Sequence, residues 1–73
     1  MSSQLTAQEI KIIQFERLWW HNESEKQESI RRRFKLTPVR YYQLLNALID
    51  RPAALDYDPS VVTRLHRIRK DTP

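Results

Sequence analysis

Residues 25–52, EKQESIRRRFKLTPVRYYQLLNALIDRP, decide the fold. Thr37-Pro38 sets an N-cap residue before a proline at the first helical position, where the missing N–H costs nothing, so a helix starts there. Tyr41, Leu44, Leu45 and Leu48 recur on one face of it, and Val39, Gln43, Asn46 and Asp50 on the opposite face. Arg51-Pro52 ends it near residue 50, because the residue before a proline is driven out of the helical region. Upstream, Asn22 or Ser24 caps a helix of about residues 25–34, a surface helix whose inward residues are Ile30 and Phe34 with Gln27 beside them. Only three or four residues, with Leu36 at their centre, join these two helices. That is the layout of a helix-turn-helix.

Working outward, Thr6 and Glu9 have the spacing of a capping box, with Leu5 and Ile10 placed as a hydrophobic staple, and open a helix expected to reach about residue 20. Ile12, Phe15, Glu16 and Trp19 share one of its faces, while Ile10, Ile13 and Trp20 fall on another. The helix therefore lies between two surfaces, one being the core and the other the last helix or a second copy of the chain. Past residue 52, Ala53-Ala54-Leu55 fits a single further turn. Asp58-Pro59 then repeats the cap-plus-proline signal and opens a helix to about residue 70, with Val61, Leu65 and Ile68 inward and Arg64, Arg67 and Lys70 outward. The expectation is an all-α fold: one domain over residues 1–73, a small four-helix bundle containing a helix-turn-helix, with helices at about 6–20, 25–34, 38–50 and 59–70.

Composition narrows function. A chain of 73 residues without cysteine builds neither thiolate metal sites nor disulfides, so its core must be dense or completed by a partner. The absence of glycine argues against phosphate-cradling loops. No stretch has the layout of a signal peptide or a membrane span, and a cytoplasmic, nucleoid-associated protein is expected. His21 and His66 are isolated, no nucleophile stands beside a histidine, and the acids are scattered, so no enzyme activity, metal or cofactor is expected. Glu16, the one acid among apolar neighbours, suits an internal salt bridge or hydrogen bond, with an arginine of the basic region as a candidate partner.

Charge is unevenly distributed. The chain carries +4 overall, yet residues 1–29 are net acidic and residues 30–73 strongly basic, the footprint of a polyanion binder. The basic stretch coincides with the helix-turn-helix. Arg40, Gln43 and Asn46 are side chains that read guanine or adenine edges, and Val39 can meet a thymine methyl. Arg31, Arg32 and Lys35, with Arg33 between them, precede that helix as phosphate donors. The Thr37 hydroxyl sits at the helix N-terminus, and Tyr42 borders the exposed face within reach of a phosphate.

The blocks Phe15-Glu16-Arg17 with Trp19-Trp20, Arg40-Tyr41-Tyr42-Gln43, residues 45–52 (LNALIDRP), and Asp58-Pro59 before Leu65 closely resemble a family of short actinobacterial and phage proteins described as a domain of unknown function. The likeness runs from Leu5 to Arg69. It implies that the Arg40-Tyr41-Tyr42-Gln43 block, on the proposed recognition helix, is the family's hallmark. The helix-turn-helix portion also looks similar to the DNA-reading end of sigma factors.

The expected function is a small non-enzymatic transcriptional regulator that binds double-stranded DNA with helix 38–50 in the major groove, without small-molecule substrate or membrane. Its protein partners would be a second copy or a component of the transcription apparatus. The alternative is a protein-interaction module that docks on RNA polymerase, a sigma factor or a host regulator through Ile10, Ile13 and Trp20 of the first helix.

Overall fold

The computed structural model describes residues 4–18 and 20–71, apart from the side chains of Lys70 and Asp71. The described residues form five helices and no strand: α1 (Ala7–Glu16), α2 (Glu23–Phe34), α3 (Pro38–Ile49), α4 (Pro52–Tyr57) and α5 (Pro59–Asp71). An all-α small bundle is what the periodicity predicts. The capping box at Thr6 and Glu9 is formed in both directions, Asn22 rather than Ser24 caps α2, and Thr37 caps α3 through the Arg40 amide. Asp58 Oδ1 accepts from the Val61 amide at 3.1 Å to start α5.

α3 is central. It contacts α2, α4 and α5, and its Tyr41, Leu45, Leu48 and Ile49 join Ile12, Ile13 and Phe15 of α1, Ile30 of α2, Ala54 of α4 and Val61 and Val62 of α5 in one buried cluster. Aromatic rings lock α1 to the α2–α3 pair: Phe15 meets Phe34 edge-on at 5.4 Å between centroids and Tyr41 at 5.8 Å. Such pairs add about 0.5–1.5 kcal/mol each beyond the area they bury.

Three expectations change. The first helix stops at Glu16 instead of reaching residue 20; Trp19 lies outside the described residues. The Glu16 carbonyl accepts from Arg64 Nη2 at 2.5 Å, and the chain turns so that Trp20 packs on Phe15 at 5.1 Å.

A fifth helix, α4, replaces the single turn expected at residues 53–55. Pro52 is its first residue, so Arg51-Pro52 both ends α3 and starts α4, although Arg51 supplies no side-chain cap. α4 also lies beside α1. Ile10 faces Pro52, Ala53 and Tyr57 across a shallow depression, Gln14 Nε2 donates to the Tyr57 hydroxyl at 3.2 Å, and Ile13 is 0% exposed.

The third change is the roll of α5. Val62 rather than Ile68 faces inward, and Ile68 is 55% exposed. Polar partners set this roll: a ring nitrogen of His66, Nε2, lies 2.7 Å from the Ile49 carbonyl, and Arg69 Nη2 lies 2.9 Å from Asp50 Oδ1. Both partners sit at the C-terminal end of α3, whose last carbonyls need donors.

Candidate nucleic-acid interface

Three residues, Lys35, Leu36 and Thr37, separate α2 from α3. Leu36 is half-buried against the core, and Lys35 turns the chain by adopting the left-handed conformation, with φ 58° and ψ 35°. Its amide donates to the Arg31 carbonyl at 3.0 Å and closes α2. A residue with a Cβ costs about 1–2 kcal/mol in this conformation, so a glycine would be easier here.

The turn brings the C-terminal end of α2 and the N-terminal end of α3 onto a common basic surface. Arg31, Arg32, Lys35, Thr37, Arg40 and Gln43 are all exposed there, and Val39 is 70% exposed. Arg40 Nη1 donates to Gln43 Oε1 at 3.3 Å, which aligns the two long side chains. The Thr37 hydroxyl accepts from the Arg40 amide at 3.2 Å, and its own proton remains available to a phosphate.

The arginines and lysines divide into two groups. Arg17 pairs with Asp58 at 2.6 Å, Lys26 with Glu16 at 3.1 Å, Arg51 with Glu9, and Arg69 with Asp50 at 2.9 Å, while Arg64 is held by the Glu16 carbonyl. Among the described residues, Arg31, Arg32, Lys35 and Arg40 have no carboxylate within ion-pair distance. No acidic residue occurs in the sequence between residues 29 and 49. Apart from Arg33, the cations that tie the bundle together are thus distinct from those on the α2–α3 surface.

Arg33 belongs to both groups, since its guanidinium lies 5.5 Å from the centroid of the Phe15 ring. Lys11 of α1 lines the same shallow depression as Arg33, adding a cation that no sequence motif signals.

Two expected contacts are placed differently. Tyr42 turns its hydroxyl to Glu23 Oε2 at 2.9 Å, beneath Lys26 Nζ at 5.5 Å from the ring centroid. Burial and then the Glu23 carboxylate push this phenol above its ordinary range. Its proton is donated to Glu23, at the N-terminal end of α2 rather than at the basic C-terminal end. Asn46 is exposed, one turn beyond Gln43 on α3, and lines a groove together with Arg69 of α5.

The partner surface expected on α1 is not assembled. Ile13 is wholly inside the chain's own core, Ile10 is half-buried facing α4, and Trp20 is half-buried on Phe15. Of the three, Ile13 is taken up by the core, while Ile10 and Trp20 each keep part of their surface exposed.

The Glu16 carboxylate meets Lys26 and Tyr41, and the arginine that reaches this residue, Arg64, bonds its backbone carbonyl instead. Among the described residues, no helix is long and apolar enough to cross a membrane. No curated protein and no solved structure matches the chain. The blocks from Phe15 to Asp58-Pro59 lie within a family match that covers residues 4–72, and the chain belongs to that family of proteins of unknown function, DUF3263.

Proposed function

We propose that the protein is a small non-enzymatic DNA-binding protein, a transcriptional regulator whose α2–α3 unit acts as a helix-turn-helix with α3 in the major groove. The observation that carries this reading is the cluster of cations at residues 31–40 without carboxylate partners, beside an exposed α3 N-terminus. A polyanion supplies the missing countercharge, and the α3 dipole adds to the attraction. Arg31, Arg32 and Lys35 contact phosphates, together with the Thr37 hydroxyl. Val39, Arg40 and Gln43 occupy the first two turns of α3, the part of a recognition helix that reaches base edges. Arg40 suits guanine, Gln43 adenine, and Val39 a thymine methyl. The alternative, a protein-interaction module docking through Ile10, Ile13 and Trp20, has less support, since Ile13 of these three is buried.

The test is selection of preferred duplexes from a random pool, followed by affinity measurements on the best site and a scrambled one. Replacing Arg40 and Gln43 by alanine should bring the two duplexes together in affinity, each good base contact being worth about 1–3 kcal/mol. Replacing Arg31 and Arg32 should weaken both duplexes alike. A pool that shows no enrichment, with binding set by salt alone, would replace sequence reading by general DNA coating.

A further inference from the structure

The shallow depression between α1 and the last turn of α2 has a volume of about 290 Å³ and is lined by Lys11, Gln14, Phe15, Leu18, Arg33 and Phe34. Its lining carries two cations and no acid. Lys11 and Arg33 are both exposed, and among the described residues neither forms an ion pair. The acids of α1 are committed elsewhere, Glu9 to Arg51 and Glu16 to Lys26 and Tyr41. Arg33 is already placed. Its guanidinium lies 5.5 Å from the Phe15 ring centroid, and Phe34 meets that ring edge-on at 5.4 Å. A guanidinium held over a ring keeps the N–H donors at its edge for an anion, and little side-chain freedom remains to be lost when one binds. Leu18, 44% exposed, and half-buried Phe34 supply apolar surface beside the two cations.

We propose that this depression receives the sugar–phosphate backbone of duplex DNA, so that α1 is a third helix of the nucleic-acid interface and Lys11 a phosphate contact outside the helix-turn-helix. The proposal rests on the DNA-binding reading of the α2–α3 surface. Two cations without a carboxylate call for an anion. The deoxyribose that joins successive phosphates offers a largely apolar face to Leu18 and Phe34, which a free inorganic anion does not. Continuity selects the same occupant, because Arg33 belongs both to the depression and to the last turn of α2, where Arg31 and Arg32 stand just before Lys35. A contact of this kind fixes the register of α3 and carries no sequence information, so it strengthens binding to every duplex alike.

Fluorescence anisotropy of the full chain with random-sequence duplex DNA across a salt series tests the assignment at Lys11, since replacing Arg33 would also remove a contact with Phe15. Lys11→Glu should weaken binding about tenfold at about 50 mM salt and lower the salt slope by about one, the loss expected for one phosphate contact. Its circular dichroism should be unchanged, because residue 11 is exposed. Lys11→Arg should bind as the wild type does. Arg67→Glu makes the same change of charge at an exposed position of α5, which takes no part in the depression, and should leave the slope nearly unaltered. A Lys11→Glu variant that keeps the wild-type slope, or that loses no more affinity than Arg67→Glu, overturns the α1 contact while the α2–α3 reading stands. A wild type that fails to bind the duplex at low salt overturns both.

Discussion

The Tyr41 hydroxyl donates to Glu16 Oε2 at 2.5 Å in the interior, and Lys26 Nζ donates to Oε1 of the same carboxylate at 3.1 Å. One buried acid thereby ties α1, α2 and α3 together beside the aromatic contacts. The phenol is pushed above its ordinary range, first by burial and then by the carboxylate it faces, which favours its protonated, donating form. Because α3 would be the DNA-reading helix, this node holds its presenting face in place. Removing a single donor from a buried carboxylate costs about 1–3 kcal/mol. Tyr41→Phe should lower the urea midpoint by a corresponding amount without changing the slope. An unchanged midpoint would mean that Glu16 does not depend on Tyr41.

Acid should unfold the protein through Glu9 and Asp58. The Thr6 amide, followed by Arg51, holds Glu9 below its ordinary range, although partial burial opposes them. The Val61 amide, followed by Arg17, does the same for Asp58. A carboxylate with a lower pKa in the folded state contributes stability that is fully present above its unfolded pKa and is lost as pH falls through the folded one. Stability should therefore be level from neutrality to about pH 5 and decline below about pH 4. Thermal melts across that range check the direction, and a melting temperature that rises on acidification would contradict it.

Asp58 also caps α5, and the cap separates from the ion pair by substitution. Asp58→Asn keeps an acceptor for the Val61 amide and loses the charge that pairs with Arg17, whereas Asp58→Ala loses both. Loss of the cap costs about 0.5–2 kcal/mol. The ion pair contributes less, because solvent screens the Arg17 side. Chemical denaturation should place Asn close to wild type and Ala clearly below it.

Lys35 holds a position where its charge and its backbone conflict. Lys35→Gly should raise stability by about 1 kcal/mol, because the left-handed conformation no longer carries the Cβ penalty. The same change should weaken DNA binding at low salt through loss of one phosphate donor. A variant that is more stable and binds DNA as tightly as wild type would remove Lys35 from the interface.

Asn46 provides a separate check on how α3 is used. It lines the groove with Arg69, whereas Gln43 is bonded to Arg40 one turn nearer the start of α3, so Asn46→Ala should change DNA preference much less than Gln43→Ala does. Equal losses in a competition binding assay would place the DNA contact along the whole helix.

The helix starts were legible because each carries a local chemical mark: Thr6 with Glu9, Asn22, Thr37-Pro38 and Asp58-Pro59. α4 was not, since Arg51 offers no capping side chain and its proline reads as a stop. The roll of α5 could not be derived from apolar spacing, because hydrogen bonds from α5 to the end of α3 outweigh the burial of one isoleucine. Ile13 shows how a doubly apolar helix misleads: its second face is covered within the chain's own core, to which α4, read in the sequence only as a single turn, contributes Ala54. Of the candidate site, the exposed stripe Val39, Arg40 and Gln43 follows from helical periodicity. The destination of the Tyr42 hydroxyl depends on which end of α2 passes over it, and only the tertiary structure shows that.

The most direct measurement is fluorescence anisotropy of the protein with random-sequence duplex DNA at several salt concentrations, beside a variant with Arg31, Arg32 and Arg40 replaced by alanine. The α2–α3 interface predicts binding that falls steeply with salt in the wild type, and a variant that is folded but binds weakly with a shallower salt dependence. A folded wild type that fails to bind duplex DNA at low salt would contradict it, as would a variant that binds as the wild type does.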